Sequence, residues 1–243
     1  MRKSITHLNS KNLEWEEILN TGAHRKVFNT DITTGSDTSL VRLPPGWKGP
    51  AGAHYHSDYE EALVLSGDVD LNGNDLLVAG SYLYRPGGIV HGFVDNSPSG
   101  SDIIIKMGAS TDLISIKNPL HTYEYPDPKA LVSDGRNHIL HLRTDNEKWI
   151  PLSADEVCLS YKTLSHDKIT GAETLLMLVP DHYSGATMFS DQFNWEMVVL
   201  EGDLEISDNE TFSQYSYTYR PSGSGPFRIE KSENGAKLLA WRD

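Results

Sequence analysis

From Trp15 onward, apolar residues come in short runs parted by Gly, Pro, Asn, Asp and Ser. Leu40-Val41-Arg42-Leu43, Ala62-Leu63-Val64-Leu65, Ser81-Tyr82-Leu83-Tyr84 and Ile103-Ile104-Ile105-Lys106 are examples. Runs this short, with turn-forming residues between them, read as strands of a sandwich or barrel. No stretch carries the 3.6-residue period of a long amphipathic helix. The pattern therefore predicts an all-β chain. Residues 1–14 are polar and read as an arm or an edge strand. Residues 118–148 are richer in Pro, His, Asn and Asp, as in Tyr123-Glu124-Tyr125-Pro126-Asp127-Pro128, and read as a connection.

The pattern occurs twice. Thr34-Gly35-Ser36-Asp37-Thr38 matches Thr170-Gly171-Ala172-Glu173-Thr174. Ser66-Gly67-Asp68-Val69-Asp70-Leu71 matches Glu201-Gly202-Asp203-Leu204-Glu205-Ile206. Tyr84-Arg85-Pro86-Gly87-Gly88 matches Tyr219-Arg220-Pro221-Ser222-Gly223. A repeat of this length with its turns preserved predicts two copies of one barrel. The expected division is 1–117, a connecting segment 118–148, and 149–243.

Only the first copy carries a cluster of metal-ligand residue types. His54 and His56 alternate, so on a strand they share a face. Glu60 follows, and Gly67 after it; Gly80, Pro86-Gly87-Gly88 and His91 come next. Gly67 and Gly80 are expected where strands turn. A hairpin return can set His91 opposite the first pair. Three imidazoles and a carboxylate converging on one point suit a divalent transition metal. The corresponding residues of the second copy are Phe189, Asp191, Trp195 and Pro226, so its metal set is broken. Glu61 corresponds to Glu196, which survives there; Glu60 is therefore the expected ligand, and Glu61 the structural residue.

These two motifs resemble the signature of the cupin superfamily: His-x-His, three or four residues, Glu, six residues, Gly; then Gly, five residues, Pro-x-Gly, two residues, His. The family's trailing Asn falls on Asp95, with Asn96 one step late. The resemblance implies two tandem jelly-roll barrels, the first holding a metal through His54, His56, Glu60 and His91, the second degenerate. It implies a range of chemistries, among them dioxygenases, decarboxylases, isomerases and non-catalytic sensors. Within that range the chain is similar to diketone-cleaving dioxygenases and to the cupin domains of anti-sigma factors. It lacks the Cys- and His-rich segment that a zinc anti-sigma factor carries. The expected function is an Fe(II) dioxygenase acting on an enolisable or dicarbonyl-like small molecule. The alternatives are a metal- and ligand-binding sensor, or an isomerase or hydrolase using Zn or Ni; Mn is a further candidate ion. The superfamily's habit of pairing exposed strand edges makes a homodimer the expected assembly.

Composition narrows the partners. A net charge of -13 argues against nucleic acid and anionic membranes. A single cysteine, Cys158, excludes an intramolecular disulfide framework and reads as a small buried side chain. No signal-peptide core precedes the first strand, and a cytoplasmic location is the expectation. Arg42, Tyr82, Tyr84, Phe93 and Lys106 lie on strands that can line a barrel. Arg85 recurs as Arg220, which argues for a structural role. No dinucleotide fingerprint, phosphate loop or nucleophile elbow is present.

Overall fold

The computed structural model describes residues 2–49, 52–71, 75–116, 135–153, 158–207 and 210–243. Among these there is no α-helix, only the single 3-10 turns Ser10–Asn12 and Thr144–Asn146. The strands of five residues or more are β1 (Ile5–Asn9), β2 (His24–Thr30), β3 (Asp37–Leu43), β4 (Glu60–Leu71), β5 (Ser81–Arg85), β6 (Ser101–Met107) and β7 (Ile139–Arg143). They continue with β8 (Ser160–His166), β9 (Glu173–Val179), β10 (Tyr183–Phe189), β11 (Trp195–Ile206), β12 (Ser216–Arg220), β13 (Phe227–Ser232) and β14 (Ala236–Arg242). The fold is all-β, two antiparallel barrels of the jelly-roll type.

The chain divides into two compact units, one holding Glu14–Asp145 and the other Lys3–Leu13 with Asn146–Asp243. In the first, the main sheet runs β7-β5-β4-β6-β3-β2; in the second it runs β1-β12-β11-β14-β9-β8. The two orders are the same once equivalent strands are matched, so the internal repeat is a repeat of fold. Each unit takes its edge strand from the segment ahead of the other. β7 pairs β5 in the first unit, and β1 pairs β12 in the second. The polar N-terminal arm is thus an edge strand. The units are drawn differently from the expected 1–117, 118–148 and 149–243. Residues 118–134 of the expected connection lie outside the described residues, and its part up to Asp145 closes the first unit. The reason is that β5 and β12 need hydrogen-bond partners, and a pairing so remote in sequence leaves no local signal.

The longest strands, β4 and β11, have 12 residues each and organise the two units. Gly67 lies inside β4, not at its end, in register with Ser101 of β6 and two residues from a register shift. Its φ is +70°, and a Cβ there would overlap the Gly100 carbonyl oxygen; Gly202 repeats this with φ +77° against Gly235. Glycine is required by that close approach more than by a turn.

Strand alternation puts Val41 and Leu43 of β3, Ala62 and Val64 of β4, Leu83 of β5 and Ile103 of β6 into one apolar cluster. In this unit the cluster surrounds a cavity of about 200 Å³. In the second unit Phe189, Trp195, Met197 and Phe227 join the core instead. Phe189 and Phe227 stack with ring centroids 4.8 Å apart, and Trp195 meets Phe189 edge-on at 5.0 Å. Such pairs add about 0.5–1.5 kcal/mol each beyond their buried area. Cys158 is half-buried, not a core residue as its apolar surroundings suggested. No helix of the described residues is long and apolar enough to cross a membrane.

Candidate metal centre

Three histidines meet at one end of the cavity. His54 opens the two-residue strand His54–Tyr55, which pairs Ile114–Ser115. His91 forms an isolated bridge with it: the His54 amide donates to the His91 carbonyl at 2.9 Å and the His91 amide returns the bond at 2.8 Å. His56 follows by alternation on the same face. Gly92 makes the approach possible. Its φ is +79°, and a Cβ there would lie 2.5 Å from His54 Nδ1. One ring nitrogen from each of His54, His56 and His91 lies within 4.8 Å of the others, and all three residues are buried.

The proton positions follow from the partners. His54 Nδ1–H donates to the Gly52 carbonyl at 2.7 Å and His91 Nδ1–H to the Ile89 carbonyl at 2.9 Å. His56 Nδ1–H donates to the Asp112 carbonyl. A carbonyl only accepts, so each Nδ1 carries a proton and each Nε2 is turned away from these partners. Burial lowers the pKa of His54, and that of His91 falls well below the usual imidazole value from burial first and then the Arg85 charge. Both rings are therefore neutral near pH 7.

Glu60 lies beside this trio but outside the mutual cluster. Its Oε2 is 3.6 Å from His91 Nε2 and accepts from Arg85 Nη1 at 2.7 Å. Burial pushes its pKa up, yet the charge and hydrogen bond of Arg85 outweigh it and hold the carboxyl well below the carboxylate range. A carboxylate thus faces an imidazole lone pair with no proton between them. Arg85 offsets the charge of that carboxylate, and three nitrogen donors with one oxygen donor fit a divalent transition ion. The Nδ1 bonds are the outer contacts that orient ligating imidazoles and raise their basicity.

Glu61 turns the other way on β4. It accepts from the Tyr82 hydroxyl at 2.7 Å, as Glu196 accepts from Tyr217 at 2.8 Å in the second unit. Arg85 does more than its recurrence as Arg220 suggested: it stands in register with Glu60, whereas Arg220 stands in register with Trp195 and over the Phe227 ring. Phe189 pairs with Phe227, so Phe227, not Pro226, stands where His91 does. Arg42, Tyr82, Tyr84, Phe93 and Lys106 are not among the residues lining the cavity. Sequence reasoning missed Asp112, whose carbonyl orients His56 and whose carboxylate accepts from the Ser57 amide at 3.1 Å. It also missed Arg25, Asp37 and Ser39 on the cavity wall.

Residues 3–111 match the family described as the ChrR cupin-like domain. No curated protein matches the chain. Among solved structures, a candidate dioxygenase of Nostoc punctiforme superposes with TM-score 0.81 at 19% identity, covering 100% of this chain and 87% of that one. Protein YlbA of E. coli gives 0.67 at 13% identity, over 99% of this chain and 94% of that one. Oxalate decarboxylase of Bacillus subtilis gives 0.63 at 12% identity, over 99% and 77% respectively.

Proposed function

We propose that this chain, which belongs to the cupin superfamily, is a metal-dependent dioxygenase of the Fe(II) type acting on a small enolisable or dicarbonyl-like molecule. One observation carries the reading: three buried imidazoles bring a ring nitrogen each to one point beside a carboxylate, at the end of an apolar cavity. His54, His56, His91 and Glu60 would hold the ion. Mn, Ni and Zn suit the same donors, and the Bacillus subtilis oxalate decarboxylase has Mn(II) centres. When bound, the ion supplies Lewis-acid polarisation of a substrate oxygen and, as iron, redox chemistry with dioxygen.

The chain's own residues supply the rest. The carbonyls of Gly52, Ile89 and Asp112 keep the imidazole protons away from the cavity. Arg85, 6% exposed, fixes a positive charge beside Glu60 and favours an anionic oxygen such as an enolate on that side. Val64, Leu83 and Ile103 exclude water from the reacting group. The candidate dioxygenase and the oxalate decarboxylase among the neighbours share the fold, and the choice of oxygenation is part of the proposal.

The test joins elemental analysis to an oxygen electrode. The wild-type chain is expected to hold about one ion. His91→Ala is expected to lose it while keeping its far-UV circular dichroism. With iron loaded, the wild type is expected to consume dioxygen with a β-diketone or phenolic ketone. Metal retained by His91→Ala removes that ligand. Bound iron with no consumption across the panel turns the reading to a sensor, or to a Zn or Ni isomerase or hydrolase.

A further inference from the structure

The cavity has a second polar wall. Asp37 and Ser39 alternate on β3 with Val41 and Leu43, and all four face the cavity. Across the sheet Asp37 is level with Met107, and Met107 is level with Glu60. Two strand spacings place Asp37 about 10 Å from Glu60 on the same face. Ser39 Oγ–H donates to Asp37 Oδ1 at 2.6 Å, and Arg25 Nη1 donates to Oδ2 at 3.3 Å. Arg25 Nε is taken by Glu16 at 2.7 Å. Asp37 and Ser39 are 5% and 2% exposed. Burial pushes the Asp37 carboxyl up in pKa, against the opposite pull of Ser39, Arg25 and Arg2. A carboxylate offers about four lone-pair positions, so these two donors leave acceptor capacity on a residue that lines the cavity.

The second unit serves as an internal comparison. Strand register matches Arg25, Asp37 and Ser39 to Tyr161, Glu173 and Leu175, and Met107 to Arg242. Arg242 Nη2 occupies the Glu173 carboxylate at 2.5 Å, and Leu175 joins the core. The second unit, whose interior is filled, thus keeps a carboxylate here but closes it with Arg242, and it has no counterpart of Arg25 or Ser39. Barrel packing alone does not call for Arg25 and Ser39, since the second unit folds with Tyr161 and Leu175 in their places.

We propose that Arg25, Asp37 and Ser39 form a second anchoring subsite that accepts a hydroxyl carried at the end of the substrate remote from its metal-binding oxygens. The inference rests on the reading of the cavity as a substrate pocket. The substrate class it implies is an elongated molecule: a chelating dicarbonyl or enolate at one end, an apolar body against Val41 and Ile105, and a hydroxyl at the other end. Asp37 accepts that hydroxyl's proton in a hydrogen bond, and Arg25 and Ser39 hold the carboxylate in place.

The probes are 1-phenylbutane-1,3-dione and its 4-hydroxyphenyl derivative, titrated calorimetrically into the full chain, zinc-loaded and after chelator treatment. A hydrogen bond to a charged acceptor predicts about tenfold tighter binding of the hydroxylated compound. That ratio is expected with and without zinc, and zinc tightens both compounds. Asp37→Leu brings the ratio to about one, and Asp37→Asn and Ser39→Ala leave about two- to threefold. If Asp37→Leu does not fold, the other two variants decide the question. A wild-type ratio near one, with zinc still tightening both compounds, overturns the subsite and leaves the metal-pocket reading standing. An unchanged ratio in the variants also overturns the subsite. A tenfold ratio with no effect of zinc keeps the subsite and overturns the metal-bound substrate. Failure of both compounds to bind overturns both.

Discussion

Glu60 and Glu61 are neighbours on β4 with opposite tasks. Glu60 faces His91 and Arg85, whereas Glu61 is held by the Tyr82 hydroxyl on the other face. Glu60→Gln is expected to weaken metal binding by about tenfold or more with little loss of stability, since a neutral amide is a poorer ligand. Glu61→Gln is expected to leave metal affinity unchanged and to cost about 1–3 kcal/mol in urea unfolding, because it perturbs a buried charged hydrogen bond. Equal metal affinities in the two variants would sink this assignment. The difference between the two was legible in the sequence, because the second copy keeps Glu196 and replaces the other with Trp195. The Arg85 contact was not, since it depends on the register of β5 against β4. His138 gives a pH effect at the same scale. Burial, then the Arg85 charge, lowers its pKa from 6.5 to about 4, and its Nε2 has no hydrogen-bond partner. The unfolded chain binds this proton more readily, so the associated stability is complete above pH 6.5 and is lost as pH falls toward 4. His138→Gln is expected to reduce the fall in urea midpoint between pH 7 and pH 5. An unchanged fall would show that other groups carry it.

At the scale of strands, the local pattern was a good guide and the pairing was not. Leu40-Val41-Arg42-Leu43 and Ile103-Ile104-Ile105-Lys106 fall inside β3 and β6, because β-branched and aliphatic runs between turn residues have few other uses. The two-residue strand at His54 was visible only through its ligand spacing. The exchange of β1 and β7 had no local signature, since an edge strand is recognised by its partner. It has a measurable consequence. A fragment of residues 146–243 lacks β1 and leaves β12 with an open edge; a synthetic peptide of residues 3–13 is expected to bind it and raise its melting temperature. A peptide with Leu8→Pro, which removes an amide at the pairing with Tyr217, is expected to do neither. Equal effects from both peptides would mean that the added strand is not recognised through its ladder.

For the whole molecule, the repeat announced two barrels and the loss of one metal set, but not where one unit ends and the next begins. All four candidate ligands lie in the unit built on β4. Metal loading is therefore expected to move one calorimetric transition and leave the other in place. At a free ion concentration of 100 times the dissociation constant, the gain is about 2.7 kcal/mol for that unit. Parallel shifts of both transitions would show that the units do not unfold independently. The pairing of β1 with β12 also sets a schedule for the ribosome. β1 cannot close its ladder until Ser216–Tyr219 have been made, on the order of ten to forty seconds later at about 5–20 residues per second. The barrel bearing the histidines has all its strands once Arg143 is out, and it can mature while β1 is still waiting for β12.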